Sequence, residues 1–121
     1  MKVSKSQIIT GLVAYVESDV IPAIPDKGFQ VVLNIGINAV RANGHLLDKF
    51  FDSEIVKAVS GYEGESKTYD IDAMCKLLKD GIDKVGYFPV KIPAISFISP
   101  VEKELKFTAS DVDKLRDKIV G

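Results

Sequence analysis

The sequence predicts an α+β domain dominated by helices: four or five of them, with one C-terminal β-hairpin followed by a capped terminal helix. Three observations carry that expectation. Two segments, Tyr69-Asp70-Ile71-Asp72 and Phe107-Thr108-Ala109-Ser110-Asp111, share an aromatic residue, a capping residue and an acidic first turn, which is the chemistry of helix starts. Apolar residues recur at helical spacing through much of the chain. Between the two starts, Val90, Ile92, Phe97, Leu105 and Phe107 lie in β-like segments around Ser99-Pro100-Val101-Glu102.

The first helix opens at Ser4. Gln7 stands three residues on, so each side chain can satisfy an end N–H of the other's backbone. Ile8, Leu12, Tyr15 and Val16 form its stripe, widened by Ile9 and Val13, and Pro22 and Pro25 are expected to end it. Residues 28–42 fit two periods. Phe29, Val31, Leu33, Ile35, Ile37 and Ala39 alternate as in a strand, whereas Phe29, Val32, Leu33, Gly36, Ile37 and Val40 make a helical face. Length and the Ala39-Val40-Arg41-Ala42 tail favour helix. Asn43-Gly44 is a turn; Leu46, Leu47, Phe50 and Phe51 resume a helical pattern, and Asp52-Ser53 caps a short piece with Ile55, Val56 and Val59.

Gly61–Ser66 reads as the clearest loop, dividing one domain of residues 1–121 into a helical front half, 1–60, and a helix–hairpin–helix back half, 67–121. Asp70 caps the next helix, with Tyr69 and Met74 as staple partners. Met74, Leu77, Leu78, Ile82 and Val85 make its buried stripe; Gly81 permits a close neighbour and Gly86 ends the helix. Pro89 and Pro93 favour an edge position for the hairpin. Thr108 caps the last helix, with Asp111 in the capping-box position and Val112, Leu115 and Ile119 facing inward.

Composition narrows function. With 46% apolar residues in 121, the chain supports a core without disulfides, and its single cysteine, Cys75, agrees with a reducing compartment. Sixteen basic and seventeen acidic residues, nearly balanced in each half, supply no basic face of the kind that phosphate neutralisation requires. No signal peptide and no membrane-spanning apolar run is read, so the expected location is cytoplasmic.

Candidate chemistry is thin. His45 and Asp48 lie one helical turn apart, as a carboxylate-oriented general base would, but no nucleophile is tied to them by sequence, and a surface histidine after a turn is the plainer reading. One His and one Cys do not make a structural zinc site. Asp70-Ile71-Asp72 and Asp111-Val112-Asp113 resemble hard-cation ligands only in being acidic, and helix starts favour acids through the dipole. The glycines fit no phosphate-binding loop. No cofactor is expected. A helix-turn-helix over Val31–Arg41, Asn43-Gly44 and His45–Phe51 would carry a recognition segment, His-Leu-Leu-Asp-Lys-Phe-Phe, that is apolar and holds one lysine. Cys75 reads as a small hydrophobe.

Apolar excess remains. Phe50-Phe51, Tyr87-Phe88 and Ile95/Phe97/Ile98 are large neighbours that one face cannot bury together. Either the N-terminal helices cover them, or Phe88, Ile95, Phe97 and Ile98 form an interface with another copy or another protein.

The back-half order, an Ile-Asp-x-Met-x-x-Leu-Leu-Lys helix (Ile71 to Lys79), a proline-containing hairpin and Phe107-x-x-x-Asp-Val-Asp-Lys-Leu (to Leu115), resembles small uncharacterised proteins of bacterial, often Firmicutes prophage-like, genomes. The resemblance covers about a third of the chain and implies no catalytic residues. It implies a phage-type structural or accessory protein, virion-associated if phage-derived. The expected function is therefore a non-enzymatic interaction or assembly protein whose partner is itself or another protein. A small enzyme or ligand-binding domain using His45 and Asp48 is the alternative, and a nucleic-acid module the third.

Overall fold

The computed structural model describes residues 1–24, 27–92 and 103–121. Along them run β1 (Lys2–Ser4), α1 (Lys5–Tyr15), α2 (Lys27–Ala42), α3 (Asp48–Phe51), α4 (Glu54–Ala58), β2 (Ser60–Glu63), β3 (Ser66–Asp70), α5 (Ile71–Val85), β4 (Phe88–Ile92), β5 (Lys103–Phe107) and α6 (Ala109–Val120). The α+β class and the hairpin before the terminal helix are as the sequence predicts. Four helices are long, and α3 and α4 are single turns.

Local chemistry places the long helices. The Ser4 hydroxyl accepts from the Gln7 N–H at 3.1 Å, and Gln7 Oε1 accepts from the Ser4 N–H at 2.8 Å. Beyond Tyr15 the chain does not straighten at Pro22. It continues as a π-helical turn, Val16–Val20, and a 3-10 turn, Ile21–Ala23, in which Pro22 takes an early position where its missing N–H is not needed. Gln30 of α2 donates to the Ile21 and Ile24 carbonyls at 3.1 and 2.7 Å, tying the new helix to that turn. Segment 28–42 is helix, resolving its double periodicity.

The Gly61–Ser66 loop is corrected. Ser60–Glu63 and Ser66–Asp70 pair antiparallel as a second hairpin, with Gly64 at φ 64° beginning its two-residue turn. β1 pairs with the other side of β3, Val3 opposite Tyr69, so the sheet order is β1-β3-β2. β2 carries no buried side chain, so the alternation that marks a strand is missing from it.

β4 and β5 form a separate antiparallel pair, Phe88 opposite Phe107. Among the described residues each is paired on one side only, which accommodates Pro89. Ile95, Phe97 and Ile98 lie outside the described residues. α6 starts at a capping box in which the Asp111 carboxylate accepts from both the N–H and the hydroxyl of Thr108, each at 2.9 Å.

One core joins the two halves of the chain: Val3, Ile8, Tyr15, Phe51 and Val56 pack with Tyr69, Ile71, Met74, Val112 and Ile119. α1 lies against α6 so closely that a Cβ on Gly11 would overlap the Ile119 backbone. On α5 the buried stripe is Ile71, Met74, Cys75 and Ile82. Leu77 and Val85, expected in it, are exposed. Leu77 stands about 120° round the helix from the stripe, and Val85 is the last residue, past the end of the core.

Candidate interaction surface

The feature the core leaves unexplained is α2. It buries Phe29 and half-buries Val32, Leu33, Ile37 and Val40, the helical face read from the sequence. Its opposite face is apolar too. Val31 and Ile35, one turn apart, are 52% and 63% exposed, and Ala39 and Ala42 extend the row. No charged residue lies between Lys27 and Arg41. A surface helix of a monomer ordinarily turns charge to solvent on that side.

Apart from this row, a cleft of about 760 Å³ opens between α1 and the C-terminal end of α2. Ile9, Val13, Ala14 and Val40 give it an apolar lining, and Ser6 and Thr10 add hydroxyls. α2 runs back along α1: Gln30 meets the turn after α1, and Gly44 reaches Ile9, where a Cβ would stand 3.0 Å from Cδ1. At one end Arg41 holds Glu17 and also donates to Asn38 Oδ1 at 2.7 Å. At the other, Lys5 lies 3.4 Å from Asp48. The charges at the cleft balance, so it selects no ionic ligand by net field.

The sequence-derived candidates fall elsewhere. The His45 side chain is 84% exposed, and its Nδ1 is 3.4 Å from Asp48, a carboxylate that also faces Lys5. Such an open pair is weakly coupled. Cys75 is buried on α5, and burial pushes its thiol up, away from the reactive thiolate. The acidic residues serve the fold. Asp70 accepts from the Ala73 N–H at 3.1 Å, Asp72 binds the Arg116 guanidinium at 2.9 Å, and Asp113 pairs with Lys79. Hydrogen bonds from the Met1 amino group and then Arg116 hold the Asp72 carboxyl below its ordinary range. Among the described residues no cluster of three His, Cys, Asp or Glu is placed to hold a metal, and no helix is long and apolar enough to cross a membrane.

The helix-turn-helix candidate has its first helix, but the second is the single turn Asp48–Phe51, with Phe51 buried in the core. Phe88 is half-buried, and its ring closes on α5 where a Gly81 Cβ would stand 2.8 Å from Cζ. Sequence reasoning therefore missed the outer face of α2. The signal was present: once segment 28–42 is helix, Val31 and Ile35 stand opposite Phe29, Leu33 and Val40 and are left without a neighbour in the chain's own pattern.

Comparison with known protein families, curated proteins and solved structures gives no match.

Proposed function

We propose that this protein is a non-enzymatic interaction and assembly protein that self-associates through the outer face of α2. The accessory role implied by the back-half resemblance belongs to the same proposal. The observation that carries it is the exposure of Val31 and Ile35 on a helix with no charge between its ends. Complete burial of such a side chain is worth about 1.5–3 kcal/mol, so covering the open half of each contributes roughly 1 kcal/mol. A neutral patch is also self-complementary, as a two-fold interface requires.

The test is solution mass by light scattering after gel filtration, across a hundredfold range of concentration. The wild-type protein is expected to move to a defined heavier species as concentration rises. Ile35→Glu should hold the monomer mass while keeping the helical circular-dichroism signal. A wild-type protein that stays monomeric throughout overturns the proposal.

A further inference from the structure

Resting on that self-association reading, we infer that two copies associate reciprocally, the Val31–Ile35 row of each α2 lying antiparallel in the α1–α2 cleft of the other. The row pressed only on its own symmetry mate is a poor interface. α2 has 16 residues and is about 24 Å long, and one helix row covers far less than the roughly 800 Å² per partner of a stable complex. Each molecule, however, carries both a convex apolar row and a concave apolar cleft. A two-fold exchange uses both surfaces twice.

The residues match in register. With Ile35 opposite Ile9 and the helices antiparallel, Val31 falls opposite Val13, both pairs being four residues apart. Asn34 then meets Thr10, and Asn38 meets Ser6, amide against hydroxyl. Lys27, exposed at the start of α2, lies opposite Glu17 at the cleft's charged end, where it meets the carboxylate that Arg41 already holds and adds a second cation to it. Eight residues separate Ile35 from Lys27, about 12 Å of helical rise. Eight also separate Ile9 from Glu17, a slightly shorter span because it runs into the π-helical turn at Val16, so the ion pair and the apolar contacts form in one alignment. Apolar, polar and charged positions each find their complement. Because α2 already runs back along α1 within one copy, the exchange sets each α2 antiparallel to both α1 helices, its own and the partner's, in a four-helix arrangement on a two-fold axis.

The experiment mixes two exposed cysteine variants, Asn34→Cys and Thr10→Cys, each in a Cys75→Ala background checked for a native circular-dichroism spectrum. Gentle oxidation of the mixture should give a disulfide-linked heterodimer that neither variant gives alone. Asn34→Cys chains that link to one another would mean that α2 packs on its own symmetry mate, and would overturn the exchange. Absence of the mixed dimer from a protein whose mass shows self-association would overturn the exchange and leave the oligomer standing. A monomeric wild-type protein would overturn both.

Discussion

At Gly11 the backbone of α1 meets that of α6, and the site has room for a hydrogen and nothing larger. Alanine is the better helix former by about 1 kcal/mol, but overpacking a tight core costs about 1–3 kcal/mol, and here the obstacle is main chain that cannot rotate away. Gly11→Ala is therefore expected to lower the free energy of urea unfolding by about 2 kcal/mol, at the upper end of the overpacking cost less the propensity gain. Gly36→Ala is the control: nothing lies within 4 Å of its Cβ, so propensity alone should stabilise the monomer. Equal effects at the two glycines would contradict the α1–α6 approach. A second residue-scale device joins α1 to α6. Tyr15, buried with its ring edge-on to Phe107 at 6.3 Å, shares a hydrogen bond with the Asp111 carboxylate. Burial first, and then the charge of Asp111, push the phenol well above its ordinary range. Burial also works to raise the carboxyl of Asp111, but the Thr108 N–H, the Thr108 hydroxyl and the Tyr15 hydroxyl outweigh it and hold that carboxyl low. The two signs differ. Stability from the lowered Asp111 is present above an unfolded pKa of about 3.9 and is lost as pH falls through the folded value; stability from the raised Tyr15 is present below about 10 and is lost as pH rises toward its folded value. Tyr15→Phe should cost about 1–2 kcal/mol at neutral pH by removing a donor from a charged acceptor. Urea midpoints across pH should then show a flatter alkaline limb than the wild type's. An alkaline limb unchanged by the substitution would mean that Tyr15 does not carry it.

Elements were legible from the sequence where their causes are local. Ser4 with Gln7, Asp70 with Ala73, and Thr108 with Asp111 each satisfy end groups within three residues, so three long helices announce their own starts. α2 was legible by length and lacks so clear a start. The three-stranded sheet was not legible, for two reasons. β1 is three residues long, and its partner β3 lies more than sixty residues away, so no short window holds both sides of the pairing. β2 is held by its backbone ladder to β3 while its side chains face solvent, so composition marks it as loop. The candidate site failed for a related reason. In the sequence, apolar excess stands out where large residues crowd together, at Phe88, Ile95, Phe97 and Ile98. Phe88 closes on Gly81 of its own chain, and the other three lie outside the described residues. The exposed row on α2 is a property of three-dimensional partnering: α1 covers one side of the helix, and only the fold tells which side that is.

At the scale of the whole molecule, α2 stands apart from the packing that unites the rest. The main core draws on β1, α1, α3, α4, β3, α5 and α6, and among the described residues α2 supplies none of its members. α5 and α6 are held on that core and cross-linked by Asp72–Arg116 and Lys79–Asp113, so their amides should open only with global unfolding. In an isolated copy, α2 gains less from burial and should open at lower free energy. Hydrogen exchange read residue by residue at two concentrations separates what the chain supplies from what association adds. In dilute protein, α2 amides over Val31–Val40 are expected to exchange faster than those of α5 and α6. At high concentration, protection over α2 and over the cleft residues of α1 should rise together, since an exchanged four-helix arrangement orders both surfaces in one event and stabilises by mass action. α5 and α6 amides that exchange only through global opening would rise by the same free energy, so the diagnostic is the narrowing of the gap between them and α2. Protection of α2 that matches α5 at every concentration would mean that the helix is fixed by its own chain. The apolar row would then be an exposed surface without a role in assembly.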